Sequence, residues 1–345
     1  MPDLMHEEMR SLYRDMVLLR RLDSEAVALC RQGELGLWAP SLGQEAAQIG
    51  AAHAMRRGDF AFPTYREHGI VWHRGVDVID MMRIFRGLSN GGWDPAEHGV
   101  APYTIVIGDQ CPHAVGYAMG IQRDGTDDAV IAFFGDGATS EGDVHEAMVF
   151  ASVFEAPVVF FCQNNQWAIS EPVNRQAVVP IVDRAAGYGM PGVQVDGNDV
   201  LAVLEVTREA LQRAREGGGP TLIEAITYRM GAHTTSDDPT RYRDSAVTEE
   251  WAGRDPIDRL LAQLHTVGAA DAEFLAAVEA ESEQLATRIR SEVRAMEKGH
   301  PLTMFEHALV HHHEGSHGEK VAFGEYLESF ESVGSVGSVD EDELA

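Results

Sequence analysis

Asp128-Ala-Val-Ile-Ala-Phe-Phe-Gly-Asp-Gly137 and, further on, Val158-Val-Phe-Phe-Cys-Gln-Asn-Asn165 are two apolar runs that each end in a polar cluster. Between them, Asp143 to Phe154 carries a helical pattern that Pro157 stops. Strand, helix, strand with continuously apolar strands is the signature of a parallel sheet covered on both faces. The pattern recurs downstream. Gly192 to Val195 predicts a short strand, and Asn198 is a candidate N-cap. A helix follows with Val200, Leu201, Leu204 and Leu211 on one side, Gly217 to Gly219 stops it, and Thr221 to Met230 predicts another strand, followed by Gly231-Ala-His233. Ligands of open α/β sheets sit at the carboxyl ends of the strands, so three strands are expected to bring Asp136, Asn165 and His233 to one rim.

Outward from this unit the chain reads helical. Leu12, Met16, Leu19 and Leu22 recur at helical spacing, and Gly43 to Arg57, Val76 to Phe85 and Pro112 to Ile121 predict further helices. From Trp251 onward Ile257, Leu260, Leu261 and Leu264 mark one helix, and Ala270 to Lys298 a long charged one. The expected organisation is therefore a helical N-terminal extension over 1–40, an α/β domain over 41–250 and a C-terminal helical region over 251–310. The stretch 311–345, with His311 to His313 and the acidic Asp340-Glu-Asp-Glu-Leu344, reads as a disordered tail.

Composition narrows the function. The 345 residues carry a formal charge of −28, which repels phosphodiester backbones and argues against nucleic-acid binding. Cys30, Cys111 and Cys162 have no short paired spacing, which argues against a disulfide scaffold or a zinc ribbon. The N-terminal residues show no secretory signal, and no run of 18 apolar residues spans a bilayer, so a cytoplasmic protein is expected.

Gly135-Asp-Gly137 alone is weak, but its pairing with Asn164-Asn165 is stronger. A carboxylate, a side-chain amide oxygen and a nearby backbone carbonyl form a small hard-oxygen shell suited to Mg²⁺, with phosphate and water in the remaining positions. The flanking glycines let backbone N–H groups approach phosphate oxygens near a helix N-terminus. The site asks for a diphosphate held through a metal.

Gly-Asp-Gly followed about thirty residues later by Asn-Asn resembles the thiamine diphosphate signature. The surrounding words narrow the resemblance to the alpha subunit of the decarboxylating component of 2-oxo acid dehydrogenase complexes. They are Gly43-Gln-Glu-Ala46, Tyr65-Arg66-Glu67, Phe134 to Asp143, Gln163 to Ser170, Val195-Asp-Gly-Asn-Asp199 and Tyr228-Arg229. Ala232-His-Thr-Thr-Ser-Asp-Asp-Pro239 with Tyr242-Arg243 is similar to the branched-chain enzymes more than to the pyruvate enzymes. Pyruvate or acetoin as substrate, and a non-catalytic cofactor-binding scaffold, remain the alternatives.

The resemblance implies a thiamine diphosphate-binding fold, a largely parallel sheet with helices on both faces plus helical N- and C-terminal extensions. It implies Asp136 and Asn165 as side-chain Mg²⁺ ligands, Trp167 as a ligand through its carbonyl, and Gly137 and Ala138 as backbone contacts to the diphosphate. Tyr65 and Arg66 match the diphosphate clamp, and Ile107 the backbone contact to the aminopyrimidine. His233 matches the active-site histidine, expected to titrate near neutrality and so to donate or accept a proton as an acyl group moves to lipoamide. Activation of the cofactor requires a glutamate from a beta subunit, so an α2β2 assembly, a lipoyl acyltransferase core as second partner and an inactive isolated chain are implied. Four positions depart from the usual pattern. Gln163 stands where branched-chain relatives often carry Arg, Ala232 replaces a His, Asp109 interrupts the Thr-Gln pair of a structural potassium site, and Thr234 occupies the position of a phosphorylated serine.

Overall fold

The computed structural model describes residues 2–88, 91–297, 299–306, 309–311 and 313–334. Two units separate by compactness, Met1–Ala295 and Met296–Ala345.

In the first unit the helices are α1 (Pro2–Arg31), α2 (Glu45–Ala54), α3 (His68–His73), α4 (Val78–Phe85), α5 (Pro95–His98), α6 (Gln110–Asp124), α7 (Gly142–Val153), α8 (Arg184–Tyr188), α9 (Val200–Arg215), α10 (Ser245–Ala252), α11 (Pro256–Thr266) and α12 (Ala272–Ala295). The strands are β1 (Phe60–Phe62), β2 (Val130–Gly135), β3 (Val158–Asn164), β4 (Trp167–Ala168), β5 (Glu171–Pro172), β6 (Gly192–Asp196) and β7 (Thr221–Ile226). Five of them form one sheet in the order β1-β2-β3-β7-β6, every neighbouring pair parallel, while β4 and β5 make a separate small hairpin. The fold is thus the mixed α/β architecture with a parallel sheet that the apolar runs predict.

Period-two alternation along the strands explains why both sheet faces are covered. Ile131, Phe133, Val159 and Phe161 bury into a core shared with α1, α2, α9 and α11, whereas Val130, Ala132, Phe134, Val158, Phe160 and Cys162 bury into a second core with α6, α7 and α8. All are fully buried, each large side chain contributing about 1.5–3 kcal/mol. The helices α1, α11 and α12 pack within this same unit.

Several elements differ from the sequence reading. Strand β1 was not anticipated, because Phe-Ala-Phe before Pro63 is too short to show a period. The N-cap of α9 is Asp199, whose carboxylate accepts from the Leu201 and Ala202 amides at 3.1 Å, rather than Asn198. Asn198 instead donates to the Arg254 carbonyl and accepts from the Thr227 hydroxyl. Strand β7 ends at Ile226, short of Met230.

In the second unit, Glu314–Gly334 forms a helix (α13) within the stretch expected to be a disordered tail. It packs on the turn Pro301–Phe305, with the Phe305 and Phe323 rings 6.1 Å apart and Lys320 paired with Glu306 at 3.3 Å. The acidic residues 335–345, His312 and the expected helix end at Lys298 lie outside the described residues. Among the described residues no helix is long and apolar enough to cross a membrane.

Candidate active site

The carboxyl ends of β2, β3 and β7 open into one cleft of about 240 Å³, lined by Tyr65, Arg66, Ile107, Asp136, Gly137, Ala138, Asn165, Trp167 and His233 among others. All nine residues singled out in the sequence therefore come together, from segments spread over 65–233. A larger depression of about 700 Å³ lies around Asp196, Arg254 and Arg259. Its Arg259 is already paired with Asp196 and Asp199, so it does not offer the same convergence of free polar groups.

Asp136 follows β2 directly and opens a 3₁₀ turn over Asp136–Ser140. This turn precedes α7, which begins at Gly142, one residue before the helical stretch read from the sequence. The Asp136 side chain is 1 % exposed. Its Oδ2 accepts from Gln176 Nε2 at 3.0 Å, while its Oδ1 is buried and has no partner. Burial pushes the carboxyl up to about 6, against which the Gln176 bond acts only in part. A buried carboxylate oxygen without a partner is costly, and a cation at Oδ1 removes that cost.

Asn165 stands beyond the end of β3. Its Nδ2 donates to Gln44 Oε1 at 3.0 Å, leaving Oδ1 with only a 3.2 Å bond from the Trp167 amide. Gln166 and Ile169 hold left-handed backbone, φ 74° and 54°, on either side of Trp167 and Ala168. Such conformations in side-chain-bearing residues cluster at functional sites. The Trp167 carbonyl accepts from Arg229 Nη1 at 3.3 Å. Gly137 can bear no side chain, since a Cβ there would sit 2.7 Å from the Ala168 Cβ. Gln163, also on the floor, donates to Gln44 Oε1 at 2.7 Å and leaves Oε1 buried and unpartnered. Two residues with an orphaned acceptor, Asp136 and Gln163, and a glycine with no room for a side chain thus line the same cleft, a set that fits a hard divalent cation beside an anion.

The histidine differs from expectation. His233 Nδ1 lies 3.1 Å from Arg66 Nη2 and 3.2 Å from Arg229 Nη1. Guanidinium groups only donate, so Nδ1 accepts and the proton of the neutral ring is on Nε2. Burial and the two guanidinium charges push the imidazole down to about 3. His233 is therefore not an imidazole titrating near neutrality, as its sequence motif suggested, but a neutral ring fixed as an Nε2–H donor. Its position is held from both sides. Its amide donates to Asp237 Oδ2 at 2.8 Å, and Asp237 accepts from the Tyr242 hydroxyl at 2.5 Å, which in turn accepts from Arg229 Nη2 at 2.9 Å.

Arg66, 5 % exposed, donates through Nη1 to the Pro40 carbonyl at 2.7 Å and through Nη2 to the His233 carbonyl at 2.9 Å. Tyr65 meets His233 edge-on at 6.1 Å. Ile107 sits at the mouth, where Ile105, Val106 and Ile107 are all exposed.

Sequence reasoning assigned no role to Gln44, Gln176, Arg229, Asp237 or Tyr242. Gln44, Arg229, Asp237 and Tyr242 belong to words that carried the resemblance, so that signal was present; Gln176 had none.

Comparison with known proteins gives the family. The family model of the dehydrogenase E1 component matches residues 13–301. The 3-methyl-2-oxobutanoate dehydrogenase subunit alpha of Mycobacterium tuberculosis is 54% identical over 267 residues, 77% of this chain and 73% of the relative. The pyruvate dehydrogenase E1 component subunit alpha of Bacillus subtilis is 42% identical over 271 residues, 78% of this chain and 73% of the relative. That of Staphylococcus epidermidis is 40% identical over 297 residues, 85% and 78% of the two chains.

Proposed function

The chain belongs to the dehydrogenase E1 component family, an oxidoreductase acting on 2-oxo acids, and from that premise we propose how its cleft works as the alpha-subunit half of a branched-chain 2-oxo acid dehydrogenase. The observation that carries the proposal is the buried, unpartnered Oδ1 of Asp136, a residue that lines one cleft together with Asn165, Gly137 and His233.

Asp136, Asn165 and the Trp167 carbonyl would hold Mg²⁺, and Gly137, Ala138, Tyr65 and Arg66 would receive the diphosphate of thiamine diphosphate. The backbone at Ile107 would receive its aminopyrimidine. When bound, the cofactor supplies the carbanion-stabilising centre at which a 2-oxo acid loses carbon dioxide. The protein supplies placement and charge. Arg66 and Arg229 keep two positive charges beside the cleft and hold the His233 ring so that Nε2–H points its dipole with no reorganisation at the moment of reaction. In this reading His233 orients and stabilises a developing oxyanion or a lipoyl sulfur by donation, and does not collect a proton at Nδ1.

A beta subunit and a lipoyl acyltransferase core are the proposed partners, and the cytoplasm the proposed compartment. The alpha chain is prepared for a partner. On α7, Val149, Phe150, Val153 and the adjoining Phe154 are exposed, and Gly116 and Gly120 on the neighbouring α6 face open space. Exposed apolar side chains of this kind mark an interaction face, and Val106 and Ile107, which line the cleft, are exposed as well.

With the beta subunit, Mg²⁺ and thiamine diphosphate present, kcat/KM for 3-methyl-2-oxobutanoate is expected to exceed that for pyruvate by at least tenfold, a difference of about 1.4 kcal/mol in transition-state binding. A preference for pyruvate would overturn the branched-chain assignment, and cofactor binding without turnover on either acid would favour a scaffold role.

A further inference from the structure

Away from the cleft, three helices bring two imidazoles and a carboxylate to one point. Asp15 on α1, His53 in the last turn of α2 and His73 at the end of α3 offer ligand atoms that all lie within 4.8 Å of one another. Asp15 Oδ2 is 2.8 Å from His53 Nε2 and 3.5 Å from His73 Nδ1. The two rings are close, their centroids 4.4 Å apart. The other carboxylate oxygen, Oδ1, is held by Arg14 Nη1 at 2.6 Å, which fixes the plane of the carboxylate and leaves Oδ2 for the histidines. Side-chain exposure is 7 % for Asp15, 13 % for His53 and 28 % for His73, so the point is shielded on the protein side and open to solvent on the His73 side.

We propose that Asp15, His53 and His73 form a second metal site, for a borderline divalent transition ion of the zinc type, separate from the proposed Mg²⁺ position in the cleft. Imidazole nitrogen and carboxylate oxygen ligate such an ion at about 2.0–2.2 Å. Two ligands at about 2.1 Å from one ion stand about 3.0 Å apart in an octahedral and about 3.4 Å apart in a tetrahedral arrangement, and the separations of 2.8 and 3.5 Å lie within about 0.2 Å of these two values. Two nitrogens and one carboxylate oxygen select ions of this class over Mg²⁺ or Ca²⁺, which prefer all-oxygen shells. Binding displaces whatever imidazole proton Asp15 Oδ2 now shares and leaves the remaining coordination positions to water. The last turn of α2 adds its carbonyl-end dipole, which favours a cation.

The location gives the ion a structural task. Gln44, which caps the start of α2, and Glu67, which caps the start of α3, both reach the cleft floor through Gln163. An ion at the opposite ends of the same two helices ties them to α1 and stiffens the support of the cleft without touching it.

The test uses the full chain assembled with its beta subunit, with Mg²⁺ and thiamine diphosphate saturating so that the cleft is filled. Equilibrium dialysis against Zn²⁺ followed by elemental analysis is expected to show one equivalent that Asp15→Asn, His53→Gln and His73→Gln each lose, with Kd raised more than about tenfold. A His311→Ala/His313→Ala double variant is expected to keep it. Unchanged Zn²⁺ stoichiometry and affinity in the His53 and His73 variants, or loss of the equivalent in the tail variant, would overturn the site. Should the variants fold poorly by circular dichroism, Cu²⁺ electron spin echo spectroscopy on the unaltered protein decides. Two imidazole couplings at one equivalent are expected, and one or none overturns the proposal.

Discussion

Gly137→Ala tests the cradle where the structure leaves least room. Gly137 has no left-handed backbone, so its requirement is for space. The added Cβ would lie 2.7 Å from the Ala168 Cβ, whereas carbon atoms in contact settle at about 3.5–4.0 Å. The 3₁₀ turn or the Trp167–Ala168 strand must therefore retreat by about 1 Å. Overpacking of this size costs roughly 1–3 kcal/mol, and at about 2–4 °C per kcal/mol for a chain of this class the Tm falls by roughly 2–12 °C. The retreat also separates Asp136 from the Trp167 carbonyl, and with about 1.4 kcal/mol per factor of ten, thiamine diphosphate with Mg²⁺ binds on the order of 10- to 100-fold more weakly. Calorimetric titration of the cofactor and a thermal melt measure both losses. Gly137→Ala/Ala168→Gly removes the colliding methyl and recovers most of each, a coupling expected only of residues in contact. Wild-type affinity in the single variant, or no recovery in the double, would show that the Gly137–Ala168 approach does not shape the site.

Without metal, the raised carboxyl of Asp136, at about 6 against an ordinary 3.8, contributes stability that is fully present below about pH 4 and lost as pH rises through 6. Relative to Asp136→Asn, the metal-free wild type is expected to gain on the order of 1–3 kcal/mol between pH 7 and pH 4, read from urea melts; parallel pH curves would refute this. His233 runs the other way: pushed from 6.5 to about 3, its contribution is present above pH 6.5 and lost as pH falls toward 3. Nitrogen-15 spectra of the cofactor-free protein should show a neutral ring, unprotonated at Nδ1, from pH 8 down to pH 5, and a midpoint near 6.5 would contradict the two-guanidinium clamp. Val153→Asp, at a position 70 % exposed, should leave the Tm of the isolated chain within about 2 °C yet prevent co-elution with the beta subunit. The isolated wild-type chain, lacking a partner's acid–base group, is expected to decarboxylate at least about 100-fold more slowly than the complex, and comparable rates would place the whole catalytic apparatus in this chain.

How much of this was legible depends on the range of the interaction concerned. The strands β2, β3, β6 and β7 show in the sequence because an apolar run is a local property, and their carboxyl ends then place Asp136, Asn165 and His233. Strand β1 has three residues and no such property. Asn198 and Asp199 are equally good capping types, and only the Thr227 and Arg254 contacts decide between them. The helix over 314–334 was hidden by its acidic composition and by Gly315, Gly318 and Gly324, and by Phe305, a partner outside it. The protonation of His233 was out of reach for the same reason, since Arg66 lies 167 residues away in sequence.

That last difference changes the chemistry assigned to the chain. A histidine near pKa 6.5 could carry protons in both directions, whereas a ring pinned between Arg66 and Arg229 presents one fixed donor. The carboxylates around it are similarly committed. Asp136 offers its free oxygen where a cation is wanted, and Glu67 is buried, raised by that burial and held by the Thr64 amide and hydroxyl. Each buried ionisable group in the cleft thus serves to hold or orient, and the arrangement is rigid because every one of them is tied to a second element. A surface built in this way suits binding and electrostatic stabilisation, while proton removal from the cofactor demands a carboxyl free to change its charge. Val106 and Ile107, both apolar and exposed, line the cleft, which is where a partner bearing such a group would approach.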